Sequence, residues 1–259
     1  MSGGPLILRT DQGSVRTITL NRPEARNALS LALMEQLIAE LVATDKDPAV
    51  QIVILGASGP AFCAGHDLKE LRTHNDPAWT LALFKMCAEL MLTMTRIRQP
   101  VIARVHGIAT AAGCQLVATA DLAVAVTTAT FATPGVNIGL FCSTPMVALS
   151  RNVGRKKAME MLLTGRPITA AEAVHLGLIN SAVAPDALDA TISDLAQTIS
   201  AKSSKVLAIG KRAFYEQIDQ SMVDAYTYAS AVMAKNMLEP DAAEGIDAFL
   251  AKRKPTWAS

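Results

Sequence analysis

Two short stretches hold the residue types with which this chain could do chemistry. The first, F-C-A-G-H-D-L-K-E from Phe62 to Glu70, follows the apolar run Gln51 to Leu55 and sets Cys63, His66 and Asp67 around a glycine. The second, V-H-G-I-A-T-A-A-G-C-Q-L-V-A-T-A-D-L-A-V-A-V from Val105 to Val126, reads as a strand end, a turn crowded with Gly and Ala, a short helix and a β-rich run after Asp121. Small residues in such a turn let an external group come within hydrogen-bond reach of main-chain N–H groups. The helix that follows aims its unpaired N-terminal donors at the same place. One such turn alone is more often simple close packing. Two of them, each at a helix start, could converge on one oxygen.

Other chemistries find little support. Cys63, Cys87, Cys114 and Cys142 show no C-x-x-C spacing and no paired-histidine pattern. Reduced thiols in a cytoplasmic protein are therefore expected, with neither a disulfide frame nor a zinc site. No metal and no cofactor are expected. A formal net charge of +1 gives no general pull toward nucleic acid, so any anion binding must be local. With 51% hydrophobic and 18% charged residues, the 259-residue chain is not disordered and can bury a sizeable core. The opening M-S-G-G-P-L lacks the basic and apolar regions of a signal peptide. Val105 to Val126 is apolar enough to raise the question of a membrane span, but it holds His106, Gln115 and Asp121 and breaks at Gly107 and Gly113. A buried strand, turn, helix and strand is the expectation, with no membrane partner.

The elements that must position these turns can be read in order. Leu6 to Thr10 and Val15 to Leu20 are β-prone runs joined by a D-Q-G hairpin signal. Ser30 is the expected N-cap of a helix with Leu33, Leu37 and Leu41 on one face, stopping near Asp47-Pro48. A helix is expected from Asp67 to Arg72, with Asp67 as cap or turn partner, and the polar stretch Arg72 to Ala78 is a candidate flap. Trp79 to Arg96 carries Leu83, Met86, Leu90 and Met94 on one helical face. Strands Val101 to Val105 and Ala123 to Val126 bracket the second turn, and Asp121 is expected to anchor its helix end. I-T-A-A-E-A near Thr169 is a capping box, and Gly177 a helix stop. From Asp186 onward the chain reads as four helices, Ala187 to Lys202, Lys205 to Gln217, Met222 to Met237 and Asp241 to Lys252. By itself this pattern says α/β.

Several ordered motifs go further. N-R-P-E-A-R-N-A-L (Asn21 to Leu29), A-G-H-D-L (Ala64 to Leu68), A-A-G-C-Q-L (Ala111 to Leu116), F-A-T-P-G-V-N-I-G-L (Phe131 to Leu140), L-T-G-R-P-I-T-A-A-E-A (Leu163 to Ala173) and F-L-A-K-R-K-P (Phe249 to Pro255) span nearly the whole chain. In them the chain resembles the enoyl-CoA hydratase/isomerase, or crotonase, family. The resemblance implies an α/β fold in which repeated ββα units coil into a spiral core over residues 1–185, followed by a helical region over 186–259 that builds a homotrimer, which in turn can pair into a hexamer. It implies an acyl-CoA thioester as ligand, its carbonyl oxygen held by the N–H groups of Ala64 and Ala112.

The family's hydratases also use two glutamates to hold and deliver water. At the matching positions stand Gln115 and Gly135. Neither an amide nor a bare Cα can exchange a proton in the working pH range. Gln115 could still orient a water or a carbonyl. Cys142 and Ser143 are candidates for a nucleophile or water holder, against the alternative of loop groups bonded to main chain; Thr144, Asn137 and Thr133 are weaker ones. His66 could titrate near neutrality or cap the next helix, and with Asp67 it is counted beside the ligand. Arg26 matches a basic residue placed against CoA, and Lys252 and Lys254 match residues that reach a neighbouring subunit's nucleotide. The expected function is an acyl-CoA-binding enzyme that stabilises a thioester enolate, with hydration doubtful. The alternatives are a non-catalytic acyl-CoA binder or sensor, and a thioesterase or decarboxylase.

Overall fold

The computed structural model describes residues 4–74 and 76–258, so Asn75 of the candidate flap and Met1 to Gly3 lie outside the described residues. Strands β1 (Ile7–Gln12) and β2 (Val15–Leu20) form the expected hairpin, with Gly13 at a φ of 58° in its turn. Helix α1 (Leu31–Asp45) starts where the Ser30 hydroxyl accepts the Leu33 N–H, and it buries Leu33, Leu37 and Leu41.

Two sheets follow. The large one has the strand order β1-β2-β3-β5-β7-β10, with β3 (Ile52–Ala57), β5 (Val101–Val105), β7 (Leu122–Val126) and β10 (Ser181–Val183). It is parallel from β2 onward, and β3 is buried along its whole length, as parallel strands covered on both faces must be. The small sheet has the order β4-β6-β8-β9: β4 (Ala61–Cys63), β6 (Ile108–Thr110) and β8 (Thr130–Ala132) run parallel, and β9 (Ile168–Thr169) is antiparallel.

The chain alternates between the sheets. After β3 and β4 come α2 (Leu68–Thr73) and α3 (Pro77–Arg96). After β5 and β6 comes α4 (Ala112–Thr119), and after β7 and β8 a 3-10 turn at Pro134–Ile138 and α5 (Pro145–Asn152). This is the ββα unit repeated as a spiral. Its consequence for function is positional: β4, β6 and β8 are neighbours in the small sheet, so the three turns that leave them lie side by side.

Helices α6 (Arg155–Thr164) and α7 (Ala170–His175) follow, the latter opened by the Thr169–Glu172 capping box. The helical tail comprises α8 (Leu188–Ser200), α9 (Ser204–Gln217), α10 (Met222–Asn236) and α11 (Pro240–Leu250). Helix α8 sends Leu188, Ile192 and Ala196 into the core shared with the sheets. Helix α9 is tied down by Lys211, whose Nζ donates to the Met94 and Gln99 carbonyls and pairs with Asp121 at 2.7 Å. Asp121 also accepts the Val101 N–H and the Tyr215 hydroxyl, so it fastens α9 to the start of β5 as well as following α4. No helix among the described residues is long and apolar enough to cross a membrane.

The second turn is closed by one contact. A Cβ on Gly113 would lie 2.2 Å from the Cys63 carbonyl oxygen, so only glycine lets α4 start against β4. Gly56, in β3, would meet nothing nearer than 3.8 Å. Gly113→Ala is therefore expected to lower unfolding stability by about 2 kcal/mol or more, and Gly56→Ala by less than about 1 kcal/mol, in parallel urea titrations.

Candidate active site

The first turn is held from below by the N-R-P-E-A-R-N segment. Arg26 and Asn27 take the left-handed conformation, at φ 50° and 54°. The fully buried Asn27 side chain accepts the Arg22 N–H and donates to the Ser58 and Ala61 carbonyls, all at 2.8 Å. The Arg26 carbonyl then accepts the Ala64 N–H at 3.0 Å. Leu29 grips the turn from both sides of His66: its N–H donates to Gly65 O at 2.7 Å, and its carbonyl accepts the Asp67 N–H at 3.0 Å. In a parallel bridge the central residue turns its own N–H away from its partner. Accordingly the His66 N–H has no acceptor among the described residues.

The second turn meets the first. Ala111 sits at φ 50°, ψ −118°, a conformation that costs a non-glycine residue about 1–3 kcal/mol. Its N–H donates to Ala132 O at 2.9 Å, and the Thr110 hydroxyl donates to Ala64 O at 3.1 Å. Ala112 opens α4, where helix geometry leaves its N–H unpaired. A Cβ on Gly65, at φ 91°, would stand 3.4 Å from Ala112 N, so the two turns are in contact. The expected donor pair is thus corrected by one member: the Ala64 N–H is spent on Arg26, and the free donors are those of His66 and Ala112.

His66 and Ala112 both line a cavity of about 450 Å³. Leu68, Leu71 and Phe84 wall one side, and Pro134, Ile138, Leu140, Phe141 and Pro145 the other. No Asp, Glu, Lys or Arg lines it among the described residues. Of the candidate residues, Ala64, His66, Ala112, Gly135, Asn137, Cys142, Ser143 and Thr144 line the cavity, whereas Gln115, Asp67, Arg26, Lys252 and Lys254 do not.

Each placement has a local cause. Gln115 is 4% exposed, and its Oε1 accepts the Cys87 thiol at 3.9 Å. Asp67 caps α2 by accepting the Lys69 and Glu70 N–H groups and pairs with Arg22 at 2.9 Å, which leaves His66 no capping role. Gly135 is enclosed by its own loop: its carbonyl accepts the Leu140 N–H, and its N–H donates to the Cys142 Sγ at 3.3 Å. A Cβ there would lie 2.6 Å from Leu140 O. The Cys142 Sγ accepts the Gly135 N–H, and burial pushes its thiol up, away from the nucleophilic thiolate. Among the described residues the Ser143 hydroxyl bonds only the Phe141 carbonyl. Thr133 is fully buried behind the wall. Arg26, Lys252 and Lys254 have exposed side chains.

His66 is the residue whose role the motif alone hid. Its ring stands edge-on to Phe84, centroids 5.1 Å apart, and its Nε2 is buried without a partner. Burial lowers its pKa to about 4, so it is neutral at pH 7 and does not titrate near neutrality as expected.

Comparison with known proteins decides the family. A sequence model of the enoyl-CoA hydratase/isomerase family matches residues 10–259. The chain belongs to that family. It is 46% identical over 247 residues to the Mus musculus protein named enoyl-CoA hydratase domain-containing protein 3, mitochondrial, covering 95% of this chain and 82% of that protein. The Homo sapiens protein of the same name is 45% identical over 244 residues, covering 94% and 80%. Among solved structures, an enoyl-CoA hydratase of Mycobacterium smegmatis superposes with a TM-score of 0.97 at 52% identity, covering 99% of this chain and all of that one. The human domain-containing protein 3 follows at 0.95 and 43%, covering 98% and 100%. The fold is the crotonase fold, and the family binds acyl-CoA thioesters. The mitochondrial names of these relatives overturn the expectation of a cytoplasmic protein. That expectation rested on unpaired cysteines and the opening residues, and unpaired thiols do not choose among reducing compartments.

The buried imidazole couples stability to acidity. The folded pKa of His66 lies below the ordinary 6.5, so the unfolded chain takes the proton first as pH falls. Its contribution is intact above about pH 6.5 and is lost progressively toward pH 4, by at most about 3 kcal/mol. His66→Gln should flatten that part of the stability profile, measured by denaturant unfolding between pH 7 and pH 4.

Proposed function

We propose that this enoyl-CoA hydratase/isomerase family member binds an acyl-CoA thioester and polarises its carbonyl between the N–H groups of His66 and Ala112, without the acid/base pair of a hydratase. The observation that carries the reading is the cavity wall itself: two adjacent, unpaired main-chain donors in apolar surroundings, with no carboxylate among the described residues that line it. Charge that gathers on a thioester oxygen as an enolate forms is stabilised by such fixed donors, each worth about 3 kcal/mol in a site from which water is excluded. Hydration needs in addition a group that takes a proton from water and one that gives it back. Gln115 faces Cys87, and Gly135 carries no side chain.

The exposed Arg26 side chain, next to the carbonyl that holds the first turn, suits a phosphate of the CoA arm. Lys252 and Lys254, beyond α11, suit the nucleotide bound by a neighbouring subunit. Exposed Met222, Val223 and Tyr226 on α10, with Phe249 and Leu250 on α11, favour a homotrimer, which pairing would make a hexamer.

Two measurements test this. In calorimetry, butyryl-CoA should bind about tenfold or more tighter than its S-butyl thioether, which lacks only the carbonyl oxygen, since two hydrogen bonds of about 1 kcal/mol each are at stake. Equal affinities would refute the polarising role. Crotonyl-CoA should be hydrated at less than about 1% of the roughly 10 per second typical of enzymes. The variant carrying Gln115→Glu with Gly135→Glu should gain no hydratase activity, because the loop from Gly135 to Cys142 leaves no room for a side chain at 135.

A further inference from the structure

The polar side chains that line the cavity divide into those the fold uses and those it leaves over. The Thr110 hydroxyl donates to Ala64 O, the Cys142 Sγ accepts the Gly135 N–H, and the Ser143 hydroxyl donates to Phe141 O. The His66 Nε2 is buried out of a ligand's reach. Asn137 and Thr144 line the same cavity and make no side-chain hydrogen bond among the described residues. A threonine at a helix N-cap ordinarily has extended backbone and spends its hydroxyl on one of the first N–H groups of the helix. Thr144 precedes α5 at φ −74°, ψ −43°, a helical conformation, and its hydroxyl caps nothing. Pro145 brings no N–H, and the Met146 and Val147 N–H groups donate to the Cys142 and Thr144 carbonyls. The helix start is complete without the hydroxyl. The Asn137 amide rests against Gly165, where a Cβ would stand 3.0 Å from Nδ2 and 3.2 Å from Oδ1.

Both residues belong to the segment that sets apolar Ile138, Leu140, Phe141 and Pro145 on this wall. Neutral groups that donate as well as accept, placed among apolar side chains, match a hydroxyl, which does the same. A plain hydrocarbon chain would strip water from the amide and the threonine hydroxyl and give nothing back, a loss that a hydroxyl on the ligand removes. A carboxylate finds no counter-charge, since no Lys or Arg lines the cavity among the described residues. We infer that Asn137 and Thr144 are specificity-determining residues that bind a hydroxyl group carried on the acyl chain. The preferred ligands are then hydroxylated acyl-CoA thioesters whose acyl group bears no charge. This rests on the acyl-CoA reading above and adds to it the class of acyl group. Such a division of labour, with a few neutral polar groups choosing the ligand inside an apolar cavity, is the ordinary construction of small-molecule sites.

The test is calorimetry of pentanoyl-CoA against pentanoyl esters carrying a hydroxyl on the third, fourth or fifth carbon, in both enantiomers where there are two, with glutaryl-CoA as the charged ester of similar length. At least one hydroxy ester should bind about tenfold or more tighter than pentanoyl-CoA, and glutaryl-CoA about tenfold or more weaker. In Thr144→Val, which keeps the shape of the side chain, and in Asn137→Ala, the preference for the hydroxy ester should fall to about threefold; in the double variant it should fall below about twofold. A panel in which no hydroxy ester outbinds pentanoyl-CoA, or in which glutaryl-CoA equals the best of them, would overturn the inference and leave the acyl-CoA reading standing. Binding of none of the esters would overturn that reading itself. A preference that survives undiminished in both single variants would overturn the assignment to these residues, and the single variants decide the matter should the double variant fail to fold.

Discussion

The site depends on the close approach of two main-chain turns. Each leaves a strand of the small sheet, and the sheet's spacing would hold them apart if either carried ordinary side chains. Gly113 lies against the Cys63 carbonyl with no room for a Cβ, and Gly65 lies against Ala111 and Ala112. Around that contact the rest of the fold is arranged. The ββα spiral delivers β4, β6 and β8 in adjacent positions, α4 starts where its first donor is wanted, and Asn27 and Arg26 fix the first turn from the far side. The strain at Ala111 is the local cost, and the Ala111–Ala132 and Thr110–Ala64 hydrogen bonds hold it in place.

Electrostatics set what so sparse a site can offer a ligand. With no charged side chain on the described wall, two unpaired N–H groups are the strongest fixed dipoles in the cavity, and apolar surroundings raise their worth to any oxygen placed between them. The same surroundings favour the uncharged forms of His66 and Cys142, lowering the pKa of one and raising that of the other. Under the proposed reading, the cavity meets charge that develops on the ligand with fixed main-chain dipoles.

Much of the fold was legible because local signals agreed with the long-range arrangement. The D-Q-G hairpin, the Ser30 cap, the Thr169–Glu172 box and the alternation of β-runs with helices all fall where the sequence places them. The site was legible only to its neighbourhood. A motif locates A-G-H-D to within a residue or two, but which N–H is left unbonded is set by the bridge from Leu29 to His66, a pairing between segments far apart in the chain. Likewise the letters show that 115 and 135 lack carboxylates, and only three dimensions show that Gln115 has turned to Cys87 and that the loop to Cys142 has closed over 135. The neutral, unpartnered state of His66 is a consequence of burial, which short spacing does not reveal.

The most direct measurement of the central claim is the carbonyl stretching frequency of butyryl-CoA carrying ¹³C at the thioester carbon, read as an infrared difference spectrum between the bound and free ester. Two fixed donors at His66 and Ala112 must weaken the C=O bond, so the labelled band should move to lower frequency and sharpen on binding, by more than hydration in water achieves. A bound band at the free frequency, or one shifted upward as in an apolar solvent, would contradict the account.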